Sequence, residues 1–186
     1  MPLKPAIFLD RDGVINRALV REGRPYAVRS LQEFSFLPGV FQAVKALRAA
    51  EFRIIVATNQ PDVATGLISK DTIEAMHHHL RSVLPIDDIY VCYHGDADLC
   101  SCRKPKPGML LEAATKWSVD LNQSFMIGDR WRDVSAGKAA GCKTFLIDSG
   151  YAETLVDQPD ETVSSLLEAS ERILNPAIPP QMKVFA

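Results

Sequence analysis

The sequence predicts an α/β fold in which a central parallel sheet carries helices on both faces, a Rossmann-like three-layer sandwich. Three observations carry this. Short apolar, β-rich runs alternate with longer amphipathic segments, the pattern of repeated strand–helix–strand units. The first run, Ala6–Leu9, is apolar at every position, as a strand buried on both faces must be. Asp10-Arg11-Asp12-Gly13 follows at once: two acids, then a glycine that lets the backbone turn. They fall at the strand's carboxyl end, where open α/β sheets place their ligands.

The elements then follow in order. A polar, irregular stretch runs from the first strand to Leu37. Pro38-Gly39 opens a helix whose apolar positions include Val40, Val44 and Leu47. Residues 52–57 form the second strand, ending in Thr58-Asn59-Gln60-Pro61. Ser69 caps a helix that reaches about Leu84 and stops before Pro85. Residues 89–92 are a short third strand, leading into a cysteine-rich loop. Pro107 suits the first turn of a helix that ends near Trp117. Residues 125–127 are the fourth strand, closing on Gly128-Asp129. The next helix stops at Gly141, residues 144–147 are the fifth strand, and a last helix covers about residues 163–174. One domain, residues 1–174, is expected to include a zinc-binding loop at 92–102. Residues 175–186, rich in proline, form a tail.

Composition excludes several classes. Twenty-one Lys and Arg stand against 23 Asp and Glu, a net charge of −2, so nothing draws the chain to nucleic acid or an anionic membrane. No apolar run is long enough to span a bilayer. The start, Met1-Pro2-Leu3-Lys4-Pro5, lacks the apolar segment of a signal peptide. A cytoplasmic monomer acting on a small molecule is expected. Three of the four cysteines lie between positions 92 and 102, which in a reducing compartment favours metal over disulfides.

Four elements fall at strand ends or in the loops beyond: Asp10 with Asp12, Thr58-Asn59, Arg103-Lys104, and Asp129 with Asp133. In a right-handed α/β sheet these ends share one rim. Asp10 and Asp129 offer hard oxygen ligands for magnesium. The Thr58 hydroxyl and the Asn59 backbone N–H can bind phosphate oxygens, and Lys104 balances negative charge. Such a set suits phosphoryl transfer. Cys92-Tyr93-His94 and Cys100-Ser101-Cys102 supply three thiolates and one imidazole, a closed tetrahedral set typical of structural zinc. It would pin the loop carrying Arg103 and Lys104. Cys142 reads as core. His77-His78-His79 cannot chelate together, because consecutive helix residues face different ways. Trp117 reads as core, and Trp131 either borders the acidic rim or packs.

This ordered set resembles the haloacid dehalogenase (HAD) superfamily of phosphatases. Asp10-Arg-Asp-Gly-Val-Ile-Asn16, Thr58-Asn-Gln60, Cys92-x-His94, Cys100-x-Cys-Arg-Lys-Pro-Lys-Pro-Gly-Met109 and Gly128-Asp129 narrow it. They resemble the heptose bisphosphate phosphatases and their relatives, the histidinol-phosphate phosphatases. The resemblance implies Asp10 as nucleophile and Asp12 as general acid and base. It implies magnesium held by Asp10, the Asp12 backbone carbonyl and Asp129, with Asp133 outside the ligands, orienting waters or the lysine. Thr58 and Asn59 would hold the phosphoryl oxygens. Lys104 is the implied charge stabiliser over its competitor Lys106, because the family's Arg-Lys-Pro unit aligns there. Arg103, with Arg130, Arg24 and Arg29, is a candidate to grip a sugar phosphate.

The chain departs from the family where Thr58-Asn-Gln-Pro-Asp-Val-Ala-Thr-Gly66 replaces the usual Thr-Asn-Gln-Ser-Gly-Ile-Ala-Arg-Gly. Too few residues separate Gly13 from Val40 for a large cap domain. The rival readings are a phosphoacceptor signalling domain, a zinc-dependent nucleic-acid module, and a related phosphatase of histidinol phosphate or another sugar phosphate.

Overall fold

The computed structural model describes residues 2–177; of the expected tail, residues 178–186 lie outside the described residues. Six parallel strands form the central sheet in the order β5-β4-β1-β6-β7-β8. They are β1 (Ala6–Leu9), β4 (Arg53–Asn59), β5 (Asp88–Cys92), β6 (Phe125–Gly128), β7 (Lys143–Ile147) and β8 (Glu161–Val163). β2 (Leu19–Arg21) and β3 (Arg24–Tyr26) make a separate antiparallel hairpin. The helices are α1 (Val40–Ala49), α2 (Lys70–Val83), α3 (Gly108–Trp117), α4 (Trp131–Ala140) and α5 (Leu166–Leu174).

β1 sits between β4 and β6 with Leu9 level with Val56 and Ile127, and all four of its side chains are fully buried. Alternate residues therefore serve opposite faces. Ile7 and Leu9 join Ile54, Val56, Val44, Leu47, Ile73 and Leu80 under α1, α2 and α5. Ala6 and Phe8 join Ile55, Ala57, Met126, Leu110 and Ala113 under α3 and α4. The chain winds outward from β1 first through β4 and β5, then through β6, β7 and β8. β1 is thus the point where strand order reverses, and a crevice opens beyond its carboxyl end.

Three expectations need correction. The stretch before Leu37 is not wholly irregular, because residues 19–26 form the hairpin. Its turn residues Glu22 and Gly23 both have positive φ, 50° and 72°, as the twist of a two-residue hairpin turn demands. The second strand runs on to Asn59, since β5 offers pairing partners as far as Cys92. The last helix begins at Leu166, capped by the Ser165 hydroxyl, and Val163 belongs to the edge strand β8 beside Ile147. Ser69 caps α2 and Gly141 ends α4, as the sequence predicts.

Candidate active site and metal-binding loop

The residues 11–16 turn wraps around one carbonyl: Ile15 N–H and Asn16 N–H both donate to Arg11 O, at 2.9 and 3.1 Å. This brings Asp12 back under three donors. Arg11 Nη2 and Gln60 Nε2 each reach Asp12 Oδ2 at 2.8 Å, and Asn16 Nδ2 reaches Oδ1 at 2.8 Å. Gly13 is indispensable to the turn. Its φ is +86°, and a Cβ there would stand 1.7 Å from Asp129 Oδ2.

Asp129 follows β6, the neighbour of β1, and its carboxylate lies within 4.8 Å of those of Asp10 and Asp133. Both oxygens of Asp129 are buried without a hydrogen-bond partner; the Tyr151 hydroxyl approaches without reaching bonding geometry. Burial, then Asp10 and Asp133, hold its carboxyl well above the usual carboxylate range. Burial also pushes Asp10 up to about 6, with Asp133 and Asp12 adding to it and Lys104 opposing. Orphaned, crowded oxygens of this kind fit a divalent cation, which takes oxygen ligands and stabilises their charge.

Lys104 is almost completely buried and central to the cluster. Its Nζ lies 2.9 Å from Asp10 Oδ1 and 2.6 Å from Asp133 Oδ1, and donates to Ala57 O at 2.7 Å. Burial alone would lower its pKa; Asp10 and Asp133 more than reverse this and keep the ammonium protonated. Asp133 accepts from Arg130 N–H through its other oxygen, so it braces the turn into α4 as well as the lysine. The Asn59 side chain clamps the Lys104 backbone from both sides, at 3.0 and 3.1 Å. Its amide is therefore committed to the lysine rather than offered to a ligand. Thr58 is buried at the end of β4 and accepts from Gln60 Nε2 at 3.1 Å. Lys106 turns away to donate to Leu99 O and Cys100 O, which removes it from the cluster.

A cavity of about 330 Å³ opens over these acids, lined also by Asn59, Arg24, Arg103, Arg130 and Arg132. Asp96 Oδ1 holds Arg103 Nε at 2.8 Å and Arg132 Nη1 at 3.2 Å, while Arg130 pairs with Glu153. Arg29 lies apart, ion-paired to Asp62 at 2.8 Å. Trp131 does not line this cavity, and Trp117 is half-buried, bonded to Asp88 with Arg53 stacked on its ring.

Cys92, at the end of β5, converges with His94, Cys100 and Cys102 of the loop that follows. Cys102 Sγ lies 3.1 Å from Cys92 Sγ and 3.4 Å from both Cys100 Sγ and His94 Nδ1. Cys92 Sγ is 3.6 Å from His94 Nδ1 and from Cys100 Sγ. A disulfide needs about 2.05 Å. Thiolates about 2.3 Å from a tetrahedral zinc stand about 3.8 Å apart, close to the spacings here. The four donors fit zinc. Gly108 lets α3 start against this loop, where a Cβ would meet Ser101 O at 2.3 Å. Cys142 is buried apart from the cluster.

Sequence reading overlooked Arg11, Asn16 and Gln60. All stand in the two motifs that open the site, but their partners become visible only once β1 and β4 are side by side.

A parallel sheet with reversed strand order, acids crowded at the switch point and a buried lysine between them define a phosphoryl-transfer hydrolase. The comparisons with known proteins agree. Residues 101–169 match a family described as HAD-hydrolase-like. A D-glycero-beta-D-manno-heptose-1,7-bisphosphate 7-phosphatase of Rhodopseudomonas palustris is 38% identical, over 84% of this chain and 91% of its own. The enzyme of that name from Bordetella bronchiseptica is 35% identical over 92% of this chain and 98% of its own. The crystal structure of D,D-heptose 1,7-bisphosphate phosphatase from B. bronchiseptica, complexed with magnesium and phosphate, superposes with a TM-score of 0.80. Its sequence is 34% identical, and the match covers 93% of this chain and 99% of that one. The chain belongs to the HAD-like phosphatase family that includes these heptose bisphosphate phosphatases, and it is a phosphoric monoester hydrolase.

Proposed function

We propose that the chain removes the 7-phosphate of D-glycero-D-manno-heptose 1,7-bisphosphate through an aspartyl-phosphate on Asp10. The observation that carries the reading is the bridge of Lys104 Nζ to Asp10 and Asp133 beside the unpartnered Asp129 oxygens. Asp10, the Asp12 backbone carbonyl and Asp129 would hold magnesium, which supplies positive charge to the phosphoryl oxygens. An Asp10 carboxylate oxygen bonds to phosphorus as the bond from phosphorus to the sugar oxygen breaks. Asp12 gives that leaving oxygen its proton. Asp12 then takes a proton from the water that attacks phosphorus, and phosphate departs as the Asp10 carboxylate is restored. Lys104 holds Asp10 and offsets the charge that accumulates. Thr58 and the Asn59 backbone N–H hold phosphoryl oxygens. Arg103, with Arg24, Arg130 and Arg132 along the same wall, receives the remote phosphate.

Residues 1–174 act as one catalytic unit in this reading, a cytoplasmic monomer. No helix among the described residues is long and apolar enough to cross a membrane. The test is Asp10→Asn with folding and metal content verified. Turnover of the heptose bisphosphate should fall by at least about a thousandfold, since no nucleophile replaces the carboxylate. Turnover at the parent rate would overturn the reading.

A further inference from the structure

Arg11 is completely buried, yet it stands outside the reacting set. Its Nη2 donates to Asp12 Oδ2 at 2.8 Å, and its Nη1 meets His77 Nε2 at 3.2 Å. His77 lies on α2 and is 1% exposed. A guanidinium has donors only, so Nε2 must accept and the ring proton sits on Nδ1. That nitrogen faces Glu74 Oε1 at 3.7 Å. The Tyr93 hydroxyl donates to the same oxygen at 2.5 Å, and Tyr93 lies between the loop donors Cys92 and His94. Burial and the charge of Arg11 push His77 down to about 4, so the ring stays neutral and keeps its acceptor.

We propose that His77 is a positioning residue: it supplies the acceptor that locks the buried Arg11 guanidinium against Asp12, aiming the Asp12 carboxyl at the departing oxygen. The inference rests on the reading of Asp12 as general acid. Without the imidazole, the Nη1 donors are buried and unpaired, and the guanidinium turns to find another partner. Asp12 then keeps Gln60 and Asn16 but loses its charged donor.

The experiment compares two esters. The heptose bisphosphate has an alkoxide leaving group that needs a proton; p-nitrophenyl phosphate leaves as a stable phenolate. His77→Leu should lower kcat/KM, which reports only the steps through departure of the leaving group and not the later attack of water shared by both esters, about tenfold on the sugar ester and less than twofold on the aryl ester. His77→Gln, whose amide oxygen reaches as far as Nε2, should restore the sugar reaction. His77→Asn, whose amide ends near Nδ1, should not. Equal losses on both esters, no loss on either, or failure of glutamine to restore would overturn the inference. Asp12→Asn is measured in parallel. If it too spares neither ester preferentially, the general-acid reading fails by itself. If it separates the esters and His77→Leu does not, only the role of His77 fails. Should His77→Leu not fold, the glutamine and asparagine variants decide: a larger sugar-ester loss in asparagine supports the proposal, and equal behaviour overturns it.

Discussion

At Asp129 two acceptor oxygens are buried beside the carboxylates of Asp10 and Asp133, with one ammonium, Lys104, shared between the latter two. Such a cluster is unstable when fully ionised, and the sign of its pH dependence follows. Asp10 titrates near 6 in the folded chain against 3.8 when unfolded. Between those values the folded state binds more protons, so the metal-free protein loses stability as pH rises through that window. Asp129, also raised, acts in the same direction. Magnesium offsets the loss only where the carboxyls are ionised. The rise in Tm on adding magnesium should be small near about pH 4 and large near about pH 7. An equal rise at both would show that the acids do not hold the ion. Gly13→Ala tests the same contact sterically, because its Cβ would occupy the Asp129 carboxylate. It should abolish the magnesium-dependent Tm shift and lower activity at least about tenfold. At this scale the acid pair and its glycine were legible, since a turn after a wholly apolar strand has few other purposes. Arg11 was not. A cation flanked by two acids reads as a solvated rim residue, and its burial depends on His77, 66 positions away.

Among the elements, the loop between β5 and α3 does the most to place the site. With Cys92 at the end of β5 it supplies the four metal donors, and within it the backbone of Lys104 is clamped by Asn59 from β4. Zinc held by these donors would bear on the reaction only through the placement of Lys104. Cys102→Ser should release zinc and lower kcat by about tenfold or more, while the far-ultraviolet circular dichroism of the sheet and helices stays near that of the parent. A zinc-free variant with unchanged kcat would separate the loop from the chemistry. The paired donors of this loop are close in sequence, so their spacing was readable. The hairpin β2–β3 and the strand β8 were not, for different reasons. The hairpin turns on Glu22-Gly23, not on an asparagine–glycine pair, and Pro25 in β3 argues against a strand. β8 has three residues and exists by pairing with β7, while Val163 falls in phase with the apolar face of α5 and lengthens the apparent helix.

For the whole molecule, the sheet order decides most of what the chain can do. Reversal at β1 gathers residues from positions 10, 58, 104 and 129 onto one rim, and alternating apolar runs were enough to predict that rim. Among the described residues no large cap covers the resulting cavity, so a substrate must supply its own grip, and four arginines line the wall. Arg103→Ala should raise KM for the heptose bisphosphate at least about fivefold more than for p-nitrophenyl phosphate, which has no second phosphate to lose. Equal increases would remove Arg103 from recognition of the remote end. What the sequence could not convey at this scale is which arginines face inward. Arg29 is tied to Asp62, whereas Arg132 shares Asp96 with Arg103. The enclosure of Lys104 also bears on how the protein ages. An ammonium kept protonated by two carboxylates and shut off from bulk water is a poor target for acetylating and glycating metabolites, which attack free amines. Surface lysines will accumulate such damage first, and catalytic lifetime is thereby uncoupled from the chemical wear of the exterior.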